Sequence, residues 1–246
     1  DIGSGALALT DQVITVDSGT TLSVADARSL AADTTGKVTA SITTGTRVSD
    51  LTTLRNPGGG NEENEWTITI DALDATVATA VQLNTIDAAT SVQVNANAIT
   101  EISGTYGDIT TLYASSGVTG LANEVITITD EITVTQANAV DALTSGAITA
   151  TIGSARVSDL IGGTSLLDAN SNNAYTISIP TEDAAVSASD LNAVNALTTT
   201  PVNISNVTDI TSSSIQDVDT LGLAMKNNEF SNPQNSVLTS ITLSDT

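Results

Sequence analysis

One phrase returns four times along the chain: Val13-Ile14-Thr15-Val16-Asp17, Trp66-Thr67-Ile68-Thr69-Ile70-Asp71, Val125-Ile126-Thr127-Ile128-Thr129-Asp130 and Tyr175-Thr176-Ile177-Ser178-Ile179. A fold for this chain has to give every copy an equivalent environment. Apolar and hydroxyl residues alternate in each copy, which is the period of a strand with one buried face. The central isoleucines stand at 14, 68, 126 and 177, so the steps are 54, 58 and 51 residues. A fifth copy starts at Ile241-Thr242-Leu243-Ser244-Asp245.

A second phrase follows each strand: 24–30, 81–88, 136–143 and 190–197. Its apolar positions recur every three or four residues, as Leu191, Val194 and Leu197 do, which is helical spacing. A hydroxyl stands ahead of each as an N-cap: Ser23, Thr79, Thr133 or Thr135, and Ser187 or Ser189. A second strand then spans 37–42, 91–96, 147–152 and 201–206. A second short turn follows at 47–51, 108–112, 156–160 and 215–218. The phrase Arg-Val-Ser-Asp-Leu at Arg47 returns unchanged at Arg156, 109 residues on.

Each repeat of about 55 residues therefore holds two strand–helix half-units, neither able to bury its apolar strip alone. Strands joined through helices pair in parallel by right-handed crossovers. The expected fold is an α/β repeat solenoid of parallel strands with short helices or turns. A parallel β-helix is the alternative, and a tandem pair of β-sandwiches comes third. The array is expected to run over 1–246 as one domain, with repeats at 12–65, 66–123, 124–173 and 174–235 and a partial repeat at 236–246. Two core columns are expected: Ile14, Ile68, Ile126 and Ile177 in one, Val38, Val92, Ile148 and Val202 in the other. Thr15, Thr69 and Thr127 then face solvent.

Composition excludes much chemistry. The 246 residues contain no His and no Cys, which removes the commonest general base, thiolate nucleophiles, disulfides and Cys-ligated metals. Lys plus Arg is 6 against 28 Asp plus Glu, a net charge of −22 that opposes nucleic acid and anionic membranes. A mean hydropathy of +0.14 and only 14% charged residues argue against disorder. No apolar run reaches the length of a membrane span. The chain opens Asp1-Ile2-Gly3 without an initiator Met or a basic leader, and it reads as a processed or excerpted piece.

Three phrases carry a resemblance: Asn-Glu followed by Thr-Ile-Thr-Ile-Asp (64–71), Leu-Asn-x-Ile-Asp-Ala (83–88) and Ile102-Ser103-Gly104-Thr105. They resemble the Ala/Thr/Ser-rich repeats of giant cell-surface proteins of marine cyanobacteria. Adhesins, S-layer proteins and phage fibres share the same compositional habit. The resemblance implies a secreted, long, acidic repeat protein on a cell surface, and it transfers no site residues.

Carboxylates are the only plentiful reactive groups. Asp17, Asp71 and Asp130 end aligned strands, and with Asp74 and Glu131 they form the candidate Ca²⁺ ligands. No Asp-x-Asp-x-Asp-Gly loop is present, so turn capping competes with metal binding. Asn84, Asn138 and Asn192 align, as do Asp87, Asp141 and Asn195, and a stacked polar ladder closing turns is expected. Trp66 and Tyr175 share one repeat position, read as packing rather than a sugar platform. Arg47 and Arg156 are expected to pair with a nearby Asp or to touch a neighbouring subunit.

The expected function is a structural, non-enzymatic extracellular repeat protein: a rod, filament or surface-layer segment, with an adhesive role. The alternative is a carbohydrate-binding or carbohydrate-cleaving β-helix. No cofactor other than Ca²⁺ is expected. Expected partners are a head-to-tail copy or flanking repeats of the same chain, and cell-surface polysaccharide; nucleic acid and a membrane span are not.

Overall fold

A computed structural model describes residues 9, 11–54, 64–71, 77–162, 172–232 and 238–244. It is a mixed α/β structure with several parallel sheets, and every strand pair given below is parallel. The chain divides into two compact units, Asp1–Glu124 and Val125–Thr246.

The first unit runs β1 (Ile14–Thr15), β2 (Thr21–Leu22), α1 (Val24–Asp33), β3 (Val38–Ile42), α2 (Val48–Leu51), β4 (Glu65–Thr67), β5 (Val77–Thr79), α3 (Ala80–Asp87), β6 (Val94–Asn95), β7 (Glu101–Gly104), α4 (Tyr106–Ala114) and β8 (Val118–Thr119). Strand β3 pairs with β1 and β2 on one side and β4 on the other. Strand β5 pairs with β7, and β6 with β8.

The second unit runs β9 (Val125–Ile132), α5 (Val134–Asp141), β10 (Ile148–Ile152), α6 (Val157–Ile161), β11 (Ala174–Thr176), β12 (Ala185–Val186), α7 (Ala188–Asn195), β13 (Val202–Asn203), β14 (Asp209–Ser213), α8 (Ile215–Lys226), β15 (Phe230–Ser231) and β16 (Ser240–Leu243). Here β10 lies between β9 and β11, β14 between β12 and β16, and β13 pairs with β15. A strand, usually a second strand, and then a helix make one rung. Successive rungs pair at offsets near 25 residues, as in Ile14 with Val38 and Ala150 with Tyr175.

The helices begin where a hydroxyl can accept an otherwise orphaned N–H. Ser23, Thr79, Thr133 and Ser187 cap α1, α3, α5 and α7, and Thr105 and Ser214 do the same for α4 and α8. Thr79 and Thr133 complete capping boxes with Gln82 and Gln136. Each helix buries a narrow stripe, such as Ala80, Leu83 and Ile86 in α3 or Ala188, Leu191 and Val194 in α7. These small apolar residues pack thin layers with few aromatics.

The register corrects the two-column core. Ile14 lies directly beside Val38, and Ile126 beside Ile148. The bridges Thr69 with Asn95 and Ser178 with Asn203 likewise set Ile68 next to Val94 and Ile177 next to Val202. Residues assigned to separate columns are thus lateral neighbours across one strand pair. Val92 is half-buried and Val94 takes its core position, because β6 starts at Val94. Thr15, Thr69 and Thr127 do face solvent. Strands β2, β5, β7, β12 and β14, just ahead of the helices, lie outside the strands expected from the periodicity.

Candidate functional site

The carboxylates proposed as metal ligands do not gather. Asp17 is exposed just beyond β1, and Asp71 is half-buried after the Thr69 bridge. Asp130 and Glu131 are exposed in β9, where Glu131 faces Thr151 of β10. Asp74 lies outside the described residues. Among the described residues, no group of three or more acidic side chains could hold a metal ion.

What does recur is a hydroxyl after the helix. The Thr34 hydroxyl donates to the Gln12 carbonyl at 2.6 Å and accepts the Gly36 N–H at 3.0 Å. Thr90 donates to the Trp66 carbonyl at 2.9 Å and accepts the N–H groups of Trp66 and Val92. Thr198 donates to the Tyr175 carbonyl at 2.7 Å and accepts the Thr200 N–H. Ser115 reaches Asp87 at 2.6 Å and accepts the Gly117 N–H, and Thr144 accepts the Gly146 N–H. A hydroxyl serves as donor and acceptor at once, so one side chain closes its own turn and ties it to the preceding rung. The signal is a hydroxyl whose i+2 residue starts the next strand: Thr34-Thr35-Gly36, Thr90-Ser91-Val92, Ser115-Ser116-Gly117, Thr144-Ser145-Gly146 and Thr198-Thr199-Thr200. Glycine fills the third place where the previous rung is close. A Cβ at Gly36 would collide with the Gln12 carbonyl, and one at Gly117 with the Asp87 carboxylate.

The aligned asparagines do not stack on one another. Asn84 of α3 donates to the Asp108 carbonyl of α4 at 3.1 Å, and Asn192 of α7 to the Asp217 carbonyl of α8 at 3.0 Å. The side-chain carbonyls of Asn138 and Asn192 are buried without a hydrogen bond, a cost the donated bond must outweigh. The second aligned set also reaches the next rung: Asp87 to Ser115, Asp141 to Asn173 at 2.8 Å, and Asn195 to Glu229 at 2.7 Å.

Three buried polar residues open strands. Asn64 and Asn173 accept the N–H groups of Val38 and Ile148, at 2.9 and 2.8 Å, through their side-chain oxygens. Glu124 accepts the N–H groups of Ala122 and Asn123 and the Tyr113 hydroxyl. Two helix starts are capped from the following rung: Asp183 accepts the Val157 N–H at 2.7 Å, and Ser213 the Ala188 N–H at 2.8 Å.

Charge pairs are few. The Lys37 ammonium donates to Glu65 at 2.7 Å and the Thr39 hydroxyl at 2.9 Å, and these bonds, Lys37 first, hold the Glu65 carboxyl below its usual range. Ser240, Thr239 and Thr208, in that order, lower Asp209 in the same way. Arg156 stands 3.9 Å from Asp183 and is largely exposed, a weak pair, and Arg47 is exposed.

Trp66 and Tyr175 are fully buried, so neither offers a face to a sugar. Tyr175 accepts a bond from Asn173 at 3.0 Å. An apolar cavity of about 460 Å³ lies between Ile204, Val207, Met225, Phe230 and Leu238. No helix among the described residues is long and apolar enough to cross a membrane. No protein-family model, curated protein or solved structure matches the chain.

Proposed function

We propose that this chain is a structural, non-catalytic segment of an extracellular repeat protein, an α/β solenoid serving in a rod, filament or surface layer at the cell surface. One observation carries the reading. The polar residues that recur, from Thr34 to Thr198 and from Asn84 to Asn192, are committed to bonds between successive rungs. A catalytic site places reactive groups once, in a cleft, with a free atom aimed at substrate. Here the repeated groups hold backbone. Self-association or flanking repeats, and adhesion to surface polysaccharide, fit this role. Ca²⁺ at Asp17, Asp71, Asp74, Asp130 or Glu131 would act by bridging carboxylates.

The test has two parts. Antibody or protease should reach the protein on intact cells that make it. A screen against polysaccharides should give binding at most, without turnover. Hydrolysis abolished by a single carboxylate substitution, or a protein confined to the cell interior, would overturn the proposal.

A further inference from the structure

We infer that the two outer strand edges of this chain are complementary: β15 and β16 of one copy seat β1 and β2 of a second copy, in parallel, with Ile14 beside Phe230 and Leu22 beside Ile241. The inference rests on the structural reading above and gives it a specific partner.

The receiving edge is an unfinished layer. Strand β16 pairs with β14 on one side only, Ile210 against Ile241. Ile210 is fully buried, whereas Ile241 and Leu243 are 51% and 53% exposed. Strand β15 is the outer member of its pair with β13. Ser240 to Ser244 carry no charge, so the features that usually blunt an edge are missing from this stretch.

The entering edge has the matching deficit. Strands β1 and β2 both lie on the outer side of β3. Ile14 and Leu22 are only half-buried, while their partners Val38 and Ile42 are buried. The Ile14 and Val16 N–H groups point inward, to the carbonyls of Lys37 and Thr39. Alternate residues of a strand offer their N–H groups to opposite neighbours, so that of Thr15 points to the open side.

A second copy is the occupant because this edge needs a particular pair of strands. Ile14 and Leu22 are 8 residues apart, as are Val94 and Ile102, and Val202 and Ile210, which occupy rungs already stacked within the chain. The same copy brings Leu7 and Leu9 ahead of β1, apolar residues suited to the flank of α8, where Leu223 is 58% exposed. The contact joins two different surfaces and is heterologous, so it propagates instead of closing as a twofold dimer does.

The experiment uses the full chain at physiological salt, where repulsion between the acidic copies is screened beyond about 8 Å. Sedimentation velocity and light scattering follow association against concentration. Ile241→Lys charges the receiving edge, and Thr15→Pro removes the outward donor of the entering edge. Trp66 emission and circular dichroism report whether each variant is folded. If Thr15→Pro disturbs them, Val13→Lys, at a side chain in a residue 60% exposed, takes its place. The wild type should associate with rising concentration, and each variant alone should stay monomeric. An equimolar mixture should form heterodimers and nothing larger, because each variant keeps one intact edge. A wild type that stays monomeric, variants that assemble as the wild type does, or a mixture without heterodimers would each overturn end docking. Those results leave the surface-exposure and turnover tests of the structural role untouched, so the two ideas fail separately.

Discussion

Thr90 holds Trp66 by both of its main-chain groups: the Thr90 hydroxyl accepts the Trp66 N–H at 2.8 Å and donates to the Trp66 carbonyl at 2.9 Å. Both residues are buried and lie 24 positions apart. The bond therefore ties one rung to the next where water cannot substitute for it.

Thr90→Val should destabilise the first unit by about 1–3 kcal/mol, the cost of leaving a buried N–H without a partner. Thr90→Ser should retain most of the stability. Trp66 is the only tryptophan, so its emission during urea unfolding reads the unit that contains it. A Ser variant as weak as the Val variant would show that the methyl group, not the hydroxyl, matters.

Ile126 is fully buried beside Ile148, whereas the next residue, Thr127, faces solvent. Ile126→Ala should cost roughly 2–5 kcal/mol by cavity formation. Thr127→Ala should stay within about 0.5 kcal/mol. Urea unfolding of the two variants followed by circular dichroism measures both. Equal losses would mean that the alternation of faces in β9 is wrong.

Glu65 is held below its ordinary value of 4.5 by Lys37 and Thr39. A carboxyl whose folded pKa is depressed adds stability that is fully present above the unfolded value. That stability is lost as pH falls through the folded value. The gap in unfolding midpoint between wild type and Glu65→Gln should therefore be widest near neutrality and close as pH drops below 4.5. Both proteins share the relief of self-repulsion on acidification, so it cancels in the difference. A gap that stays constant down to pH values well below this would rule out the Lys37–Glu65 contact as its source.

At a net charge of −22, any salt should raise the melting temperature by screening. CaCl₂ and NaCl at matched ionic strength should give nearly equal shifts, because the described carboxylates form no cluster of three. A larger Ca²⁺ shift that disappears in Asp71→Asn or Asp130→Asn would establish a specific site at those residues.

Legibility in the sequence followed the length of each signal. The helices of eight or more residues were readable because Leu191, Val194 and the Ser187 cap give periodicity and a boundary together. Strand β2 has two residues, Thr21 and Leu22, and two residues carry no period. The pairing of Ile14 with Val38 was hidden because register depends on the loop path between rungs, which local pattern does not encode. The hydroxyl after each helix was visible as Thr or Ser in a chain full of both, so its position stood out only once Thr34, Thr90 and Thr198 were seen reaching back to earlier strands. The carboxylates had the opposite fate: Asp17, Asp71 and Asp130 align in sequence, yet no triad forms among the described residues.

The near-constant offset between paired strands also governs how the chain finds its fold. Val38 meets Ile14 after 24 residues, and Tyr175 meets Ala150 after 25. Closing a loop costs entropy that grows with its length, and here that length is reset at every rung. Contact order relative to chain length therefore falls as rungs are added, although all the strand pairing is parallel. The slow event is the first pair of rungs, which must form without a template. Each later one condenses on an edge already in place, so a longer array gains stability without a matching penalty in the time it takes to fold.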